Sequence, residues 1–326
     1  MSGRFDLRIK AAGGVIYRPV VLDGVELKHE RKGAPSTLEF TVIKEGDLSF
    51  AHGNWVSFYV DGTCVFQGRV FTKTRDKKQH IKVTCYDQLR YLKNKDSILY
   101  TNSQANAIIK DCLERADLNF GVLPNINVMF NRLNASDKTY FDTIQSVFDG
   151  IYSSKKKLYV IYDDCGNIKV KDVEDMKTNY VLNSQTAENF DYTSTIDNNT
   201  YNNVVVIKES QNGQRQIEQK CDPFLLDEYG KLTLRYTTQL DNLTGIAEKL
   251  LEYYKKEERT LSVKNCFGDI RVRGGSSVIA SLPLGDTTKI NNVYLMCERV
   301  THHFKNDHHT MDLDLRGNII QENVGL

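Results

Sequence analysis

Trp55-Val56-Ser57-Phe58-Tyr59-Val60-Asp61-Gly62-Thr63-Cys64-Val65-Phe66-Gln67-Gly68-Arg69-Val70 reads as two strands joined by a two-residue turn, and this reading sets the fold class. Asp61 and Gly62 both tolerate positive φ, which a type I′ turn requires at its two central positions. The second strand continues past Gly68 to about Arg75, turns through Asp76-Lys77-Lys78-Gln79 and returns as His80 to Tyr86. Upstream, Leu38, Phe40 and Val42 alternate with Thr37, Glu39 and Thr41, the period of a strand with one buried face. Leu7 to Tyr86 is therefore read as all-β, an antiparallel meander curled into a small barrel.

Beyond Tyr86 the apolar period changes from two to 3.6. Ala105, Ile108, Ile109, Cys112, Leu113 and Ala116 predict a helix over about 103–118 with Ser103 as N-cap. Tyr140, Phe141, Ile144, Val147, Phe148 and Ile151 predict a second helix behind Ser136, ending before Lys155-Lys156-Lys157. Leu158 to Tyr162 and Ile168 to Val173 flank a Gly-containing loop as a hairpin. From Val204-Val205-Val206-Ile207 the β pattern resumes, is interrupted by a helix after Asn242, and ends in strands from about 261 to 316.

The last unit repeats the element order of the first. A strand over 277–282, a connection at Gly285, Val293 through Val300, the Asn306-Asp307 turn and Leu313-Asp314-Leu315-Arg316 mirror the meander that ends Tyr86-Asp87-Gln88-Leu89-Arg90. The expectation is an α+β chain. Two small antiparallel β-barrel-like domains, 1–95 and 186–326, flank a mixed α/β middle over 96–185, with an inserted helix near 242–258 in the last.

Composition narrows the function classes. Lys plus Arg number 43 against 42 for Asp plus Glu in 326 residues, so no excess charge draws the chain to nucleic acid or anionic lipid. No apolar run approaches the ~20 residues of a membrane helix, and Met1 to Lys10 lacks the apolar core of a signal peptide, so cytosolic synthesis without membrane insertion is expected. Cys64, Cys85, Cys112, Cys165, Cys221, Cys266 and Cys297 are odd in number, scattered and never paired as Cys-x-x-Cys. They read as reduced, mostly packed thiols rather than a disulfide framework or zinc cluster.

Several segments, in order along most of the chain, carry a resemblance. They are Val65-Phe66-Gln67-Gly68-Arg69-Val70, the run from Tyr86-Asp87-Gln88-Leu89-Arg90 to Asp96, Asp269-Ile270-Arg271-Val272-Arg273-Gly274-Gly275-Ser276-Ser277, Val300-Thr301-His302-His303-Phe304 and His309-Thr310-Met311-Asp312-Leu313. Together they resemble the baseplate hub proteins of contractile phage tails and of PBSX-like defective-prophage or bacteriocin particles, the late-control protein D-like hub family. The resemblance implies a homotrimer that joins the hexameric tail tube protein to the central spike protein among other baseplate proteins. It also implies synthesis in a bacterial host cytoplasm and release by lysis. It brings no catalytic, cofactor or metal residues with it.

The residues are consistent with an assembly role. With a two-residue Asn306-Asp307 turn, His302 opposes Met311 and His309 opposes Phe304 on the face of Val300 and Leu313, leaving His303 and His308 on the other face. Two imidazoles per face do not complete a four-ligand site, so these read as hairpin residues; a metal shared across a three-fold axis is the alternative. A tail-associated wall hydrolase would need paired carboxylates, and Asp163-Asp164 and Glu257-Glu258 read instead as a turn and a charged helix end in solvent. Lys155-Lys156-Lys157 and Lys73, Arg75, Lys77, Lys78 lack aromatics placed to stack bases. Gly274-Gly275 precedes no predicted helix and reads as a tight turn, not a phosphate cradle. A carbohydrate-binding module fits the tyrosine content but not the repeated order of elements.

Overall fold

The structure is a computed structural model that describes residues 4–186, 189–197, 200–209, 214–238, 242–283 and 289–316. The expected Gly285 connection lies outside these described residues. Its first part is β1 (Phe5–Lys10), β2 (Ile16–Tyr17), β3 (Val21–Glu30), β4 (Thr37–Ile43), β5 (Trp55–Val60), β6 (Thr63–Arg75) and β7 (His80–Tyr86). The deciding hairpin forms as read: Val60 pairs with Thr63 around Asp61 and Gly62, whose φ angles are 50° and 81°. In β4 the side chains of Leu38, Phe40 and Val42 are buried and their neighbours are not. With Ile9, Leu27, Val56, Phe58, Phe66 and Val83 they make the core of this part, each large side chain contributing about 1.5–3 kcal/mol by leaving water.

Then follow β8 (Lys95–Gln104), α1 (Ala105–Arg115), β9 (Met129–Thr139), α2 (Tyr140–Lys155), β10 (Tyr159–Asp163) and β11 (Ile168–Asp172). Both expected helices are present, and both expected N-caps are corrected. Ser103 lies in β8 and Ser136 in β9, which pair antiparallel with α1 between them in the chain, a pairing that the sequence did not announce. The Ser103 hydroxyl donates to the Thr101 carbonyl, and α1 starts behind Gln104 without a side-chain cap. At α2 the cap is Thr139, in a reciprocal capping box with Asp142. β8 alternates little between apolar and polar residues and its partner follows only after α1, so nothing local marks the pairing. The expected β10–β11 hairpin is observed.

The remaining elements are β12 (Lys177–Leu182), β13 (Asn189–Thr195), β14 (Asn203–Glu209), β15 (Arg215–Cys221), α3 (Pro223–Tyr229), β16 (Thr233–Thr238), α4 (Leu243–Tyr254), β17 (Glu258–Phe267), β18 (Ser277–Pro283), β19 (Lys289–Lys305) and β20 (His308–Arg316). Asn242 caps α4 by accepting from the Gly245 N–H. The strands form a mostly antiparallel array in which the first part runs β1-β5-β6-β7-β4-β3 and the last runs β12-β18-β19-β20-β17-β13. If each set of six is lettered a to f in chain order, both read a-d-e-f-c-b. The outer pairs differ in sense: β1–β5 is antiparallel and β12–β18 is parallel. The two sets join where β3 pairs with β19, Leu27 opposite His302, giving one 13-stranded sheet rather than two separate ones.

The chain divides into two compact units, one of residues 4–190 with 262–315 and one of 191–261 with Arg316. In the second, β14 lies between antiparallel β15 and parallel β16, and α4 covers Val204 and Val206 with Ala247.

One expectation about the cysteines is overturned. Cys64 at the start of β6 and Cys165 in the β10–β11 turn are joined as a disulfide, with Cα atoms 6.1 Å apart. Their separation of 101 residues gave no spacing to read. The other five are free thiols, all buried except Cys221.

Gly68 shows how closely β6 and β7 cross: a Cβ there would lie 2.3 Å from the Tyr86 carbonyl oxygen and 2.5 Å from the Phe66 ring. Gly68→Val is expected to destabilise the chain by about 1–3 kcal/mol through overpacking. Gly62→Asn, at a turn with nothing within 4 Å of the added Cβ, is expected to cost less. Guanidinium denaturation midpoints compare the two.

Candidate functional site: a buried polar junction

Four of the segments that carry the resemblance converge in the first unit. The connection from β17 to β18, residues 268–276, threads between β3, β10 and the β19–β20 hairpin. Gly274 permits this, since a Cβ on it would stand 2.5 Å from the Glu30 carbonyl carbon and 2.6 Å from the Arg31 nitrogen. Gly275, at φ 92°, turns the chain back beside Val160 and donates its N–H to the Cys297 carbonyl. The two glycines are a point of close backbone approach and a turn, as their position between strands suggested.

Arg273, between these contacts, lays its guanidinium 4.0 Å over the Tyr162 ring and donates to the Asp163 carbonyl at 2.8 Å. Asp87 caps the short 3-10 turn Gln88–Lys93, accepting from the Leu89 N–H, and also accepts from the Ser36 N–H at 3.0 Å. Asp163 accepts from the Gly166 N–H at 2.6 Å and the Gln88 N–H at 3.3 Å. Burial pushes the Asp87 carboxyl up to about 7, the nearby Asp163 adds to this, and Ser36 and Arg273 oppose it. Burial likewise raises Asp163, against the N–H groups of Gly166 and Gln88. Arg31, itself buried, closes the junction by pairing with Glu298 at 2.8 Å.

The histidine hairpin forms with both turn residues, Asn306 and Asp307, at positive φ. His302 and His309 are buried with Val300, Met311 and Leu313, while His303 and His308 lie outside the core. The His302 Nε2 faces the Val272 carbonyl at 2.9 Å, so it carries the proton, and Nδ1 accepts from the His309 Nε2–H at 3.0 Å. A second proton on His302, at Nδ1, would point at the His309 Nε2–H. Burial lowers His302 to about 3, helped by His309, and lowers His309 to about 4 against the pull of Asp269. His29, also buried and driven well below its ordinary value, meets the Ser36 hydroxyl at 3.0 Å and the His302 ring edge-on at 5.7 Å. On the outer face, His303 sits between Glu26 and Asp312 at 3.7 and 3.4 Å. Among the described residues no group of three or more His, Cys, Asp or Glu side chains is arranged to hold a metal.

The other candidates disperse. Asp164 pairs with Lys169 in the turn, but Asp163, expected in solvent, is buried because it ends β10 facing the junction. Glu257 follows α4 rather than ending it, and accepts from the Ser194 hydroxyl and Arg259. Lys157 pairs with Asp172, and the Lys73 ammonium sits 4.2 Å over the Phe50 ring. An open cleft of about 510 Å³ is lined by Arg4, Asp6, Arg18, Phe58, Phe304 and Asp307 among others. Its Asp6 carboxylate is held below the usual range chiefly by Arg8, with Arg18 assisting, which unfits it as a general acid. The described side chains thus build a joint between distant segments.

Residues 25–316 match the family model described as YQBQ-like. The chain belongs to the YQBQ-like family. Its relatives include the phage-like element PBSX protein XkdQ of Bacillus subtilis strain 168, 27% identical over 309 residues and matched over 91% of this chain and 92% of XkdQ. The YQBQ-like fold is similar to that of the tail protein from Neisseria meningitidis MC58, with a TM-score of 0.71 at 12% identity over 97% of this chain and 98% of that one. It is also similar, with a TM-score of 0.55 at 11% identity over 98% of this chain and 79% of the other, to the E. coli c3393 protein. That protein is described as a type VI secretion component with structural similarity to the T4 tail proteins gp27 and gp5. The YQBQ-like chain thus shares its family with a phage-like element protein and its fold with a phage tail protein.

Removing the guanidinium by Arg273→Met leaves Asp87 and Asp163 without their cation, and a loss of about 2–4 kcal/mol is expected in chemical denaturation at pH 8. The folded chain holds the Asp87 proton up to about pH 7, whereas an unfolded Asp releases it near ~4. The folded state therefore binds more protons between those values, and this group's contribution falls as pH rises through the window. The histidines act oppositely: His302 and His309 stay neutral down to about 3 and 4, so their contribution is intact above ~6.5 and lost below it. Asp87→Asn removes only the first slope. Relative to the parent it should gain on the order of 3 kcal/mol between pH 4 and pH 8; an equal difference at both pH values would contradict the junction's electrostatics.

Proposed function

We propose that this chain is the baseplate hub of a contractile tail or tail-like particle, a homotrimer that joins the hexameric tail tube to the central spike. The observation that carries the proposal is the repeated strand order, a-d-e-f-c-b, in one chain. A ring of three such chains presents six similar blocks toward a six-fold tube while keeping three-fold symmetry toward a spike. In this reading each set of six strands is a small barrel, and 1–95, 96–185 and 186–326 are the working divisions of the chain. The work is mechanical: the ring holds the spike at one end and seats the first tube subunits at the other, with no cofactor or catalysis. The likeness to a protein itself described as similar to gp27 and gp5 supports this reading, as does the kinship with a phage-like element protein. Synthesis in a bacterial host cytoplasm and exit by lysis as part of the particle belong to the same proposal.

Light scattering of the purified chain at several concentrations, alone and with its spike protein, tests it. A mass near three times the 37.3 kDa chain, alone or on mixing, is expected. A monomer under both conditions would remove the ring, and a wall-digestion assay would follow.

A further inference from the structure

We infer that Cys64 and Cys165 are a redox latch, a thiol pair that noncovalent contacts bring together and that a small disulfide oxidant then closes.

Contacts other than the disulfide hold the β10–β11 turn in place. Gly166 donates its N–H to Asp163, and its carbonyl accepts from the Asn119 amide at 2.7 Å. Cys165 and Gly166 both hold positive φ, at 51° and 87°. A Cβ on Gly166 would come within 2.9 Å of the Gln67 amide oxygen, so the turn lies directly against β6. That seating sets the Cα atoms of Cys64 and Cys165 6.1 Å apart, inside the range that a disulfide spans without moving backbone. The noncovalent contacts of the turn thus favour the same placement that the bond needs.

Access makes the reaction selective. Cys64 and Cys165 are half-buried, whereas Cys85, Cys112, Cys266 and Cys297 are buried. Burial also holds those four as thiols, raising Cys112 to about 11 and Cys266 to about 12, and the thiolate is the attacking species. Cys221 is exposed but lies in the other compact unit. With oxidised glutathione, one thiolate of the pair attacks the glutathione disulfide, forms a mixed disulfide and releases one glutathione thiolate. The second thiolate then displaces the other. Two thiols become one protein disulfide, two glutathiones are produced, and the two protons leave with them or pass to solvent.

The bond ties β6 to the turn that bears Asp163, so it fixes one wall of the buried junction. It closes a loop of about 100 residues, a length at which cross-linking restricts the unfolded chain strongly. Resting on the tail-particle reading, one consequence follows: a chain assembled in a reducing cytoplasm locks this joint only after release.

The test is thiol counting and melting of the full chain, in a Cys221→Ser background that prevents intermolecular bonds. After oxidised glutathione, four thiols should react in denaturant instead of six, and a Cys64–Cys165 cross-linked peptide should appear by mass spectrometry. The oxidised chain should melt about 5–15 °C above the dithiothreitol-treated chain. A Cys64→Ser, Cys165→Ser variant should melt with the reduced parent and ignore dithiothreitol. Six reactive thiols after oxidation, a different linkage, or a melting temperature that oxidation leaves unchanged would overturn the latch. None of these readouts depends on trimer formation, so failure of the latch and failure of the hub are separately visible.

Discussion

A guanidinium drawn into the interior has to be answered by nearby negative charge and hydrogen-bond acceptors, and the structure around Arg273 is organised by that requirement. Its partners come from elsewhere in the chain: the Tyr162 ring and Asp163 carbonyl from β10, and the field of Asp87 from the turn after β7. The cation reaches them only because Gly274 lets the connection touch the backbone of Glu30 and Arg31. The remaining polar groups follow from this placement. Asp87 must satisfy Ser36, Ser36 meets His29, and His29 packs on His302. The junction is thus a chain of obligations in which each buried polar atom needs the next.

Its location explains why the resemblance concentrates in apparently unrelated segments. Asp87 lies in one, Arg273 and Gly274 in another, His302 and His309 in two more. None of these residues supplies a nucleophile, a phosphate cradle or a metal ligand set. They hold two similar strand arrays and the helical middle in one unit, across the β3–β19 pairing. The repeated order is asymmetric in use: the first array carries β2 as an extra strand, and the last takes up β14 to α4 between its second and third strands. An inserted element there leaves the a-d-e-f-c-b path intact, because it leaves and returns between neighbouring strands.

Legibility varied with the kind of signal. The β5–β6 turn and the faces of the His302 and His309 hairpin were readable, because turn chemistry and a period of two are local. The helices were readable from their apolar stripes, and the start of α4 from Asn242, but the starts of α1 and α2 were not: strands claimed Ser103 and Ser136, leaving Thr139 and Asp142 to cap α2. The β8–β9 pairing was silent because α1 separates the strands in the chain and neither has a clean apolar alternation. The strand-order repeat was visible only in its β5–β6–β7 and β18–β19–β20 portions, where neighbours in sequence are also neighbours in the sheet.

The adjacent pair Asp163 and Asp164 shows where the sequence stops deciding. Both are aspartates at one hairpin turn, and the turn itself was determined by residues within a few positions of it. Yet Asp164 faces Lys169, while Asp163 is buried and raised by burial, beside the distant Arg273. Element types, strand faces and turns followed from neighbouring residues, since their energetics depend on torsion angles and local periodicity. The carboxyl that loses its water, the thiols that meet across 101 residues and the arginine that pairs across 267 were decided only by tertiary structure. Desolvation and charge act through space, on neighbours that folding brings from far along the chain.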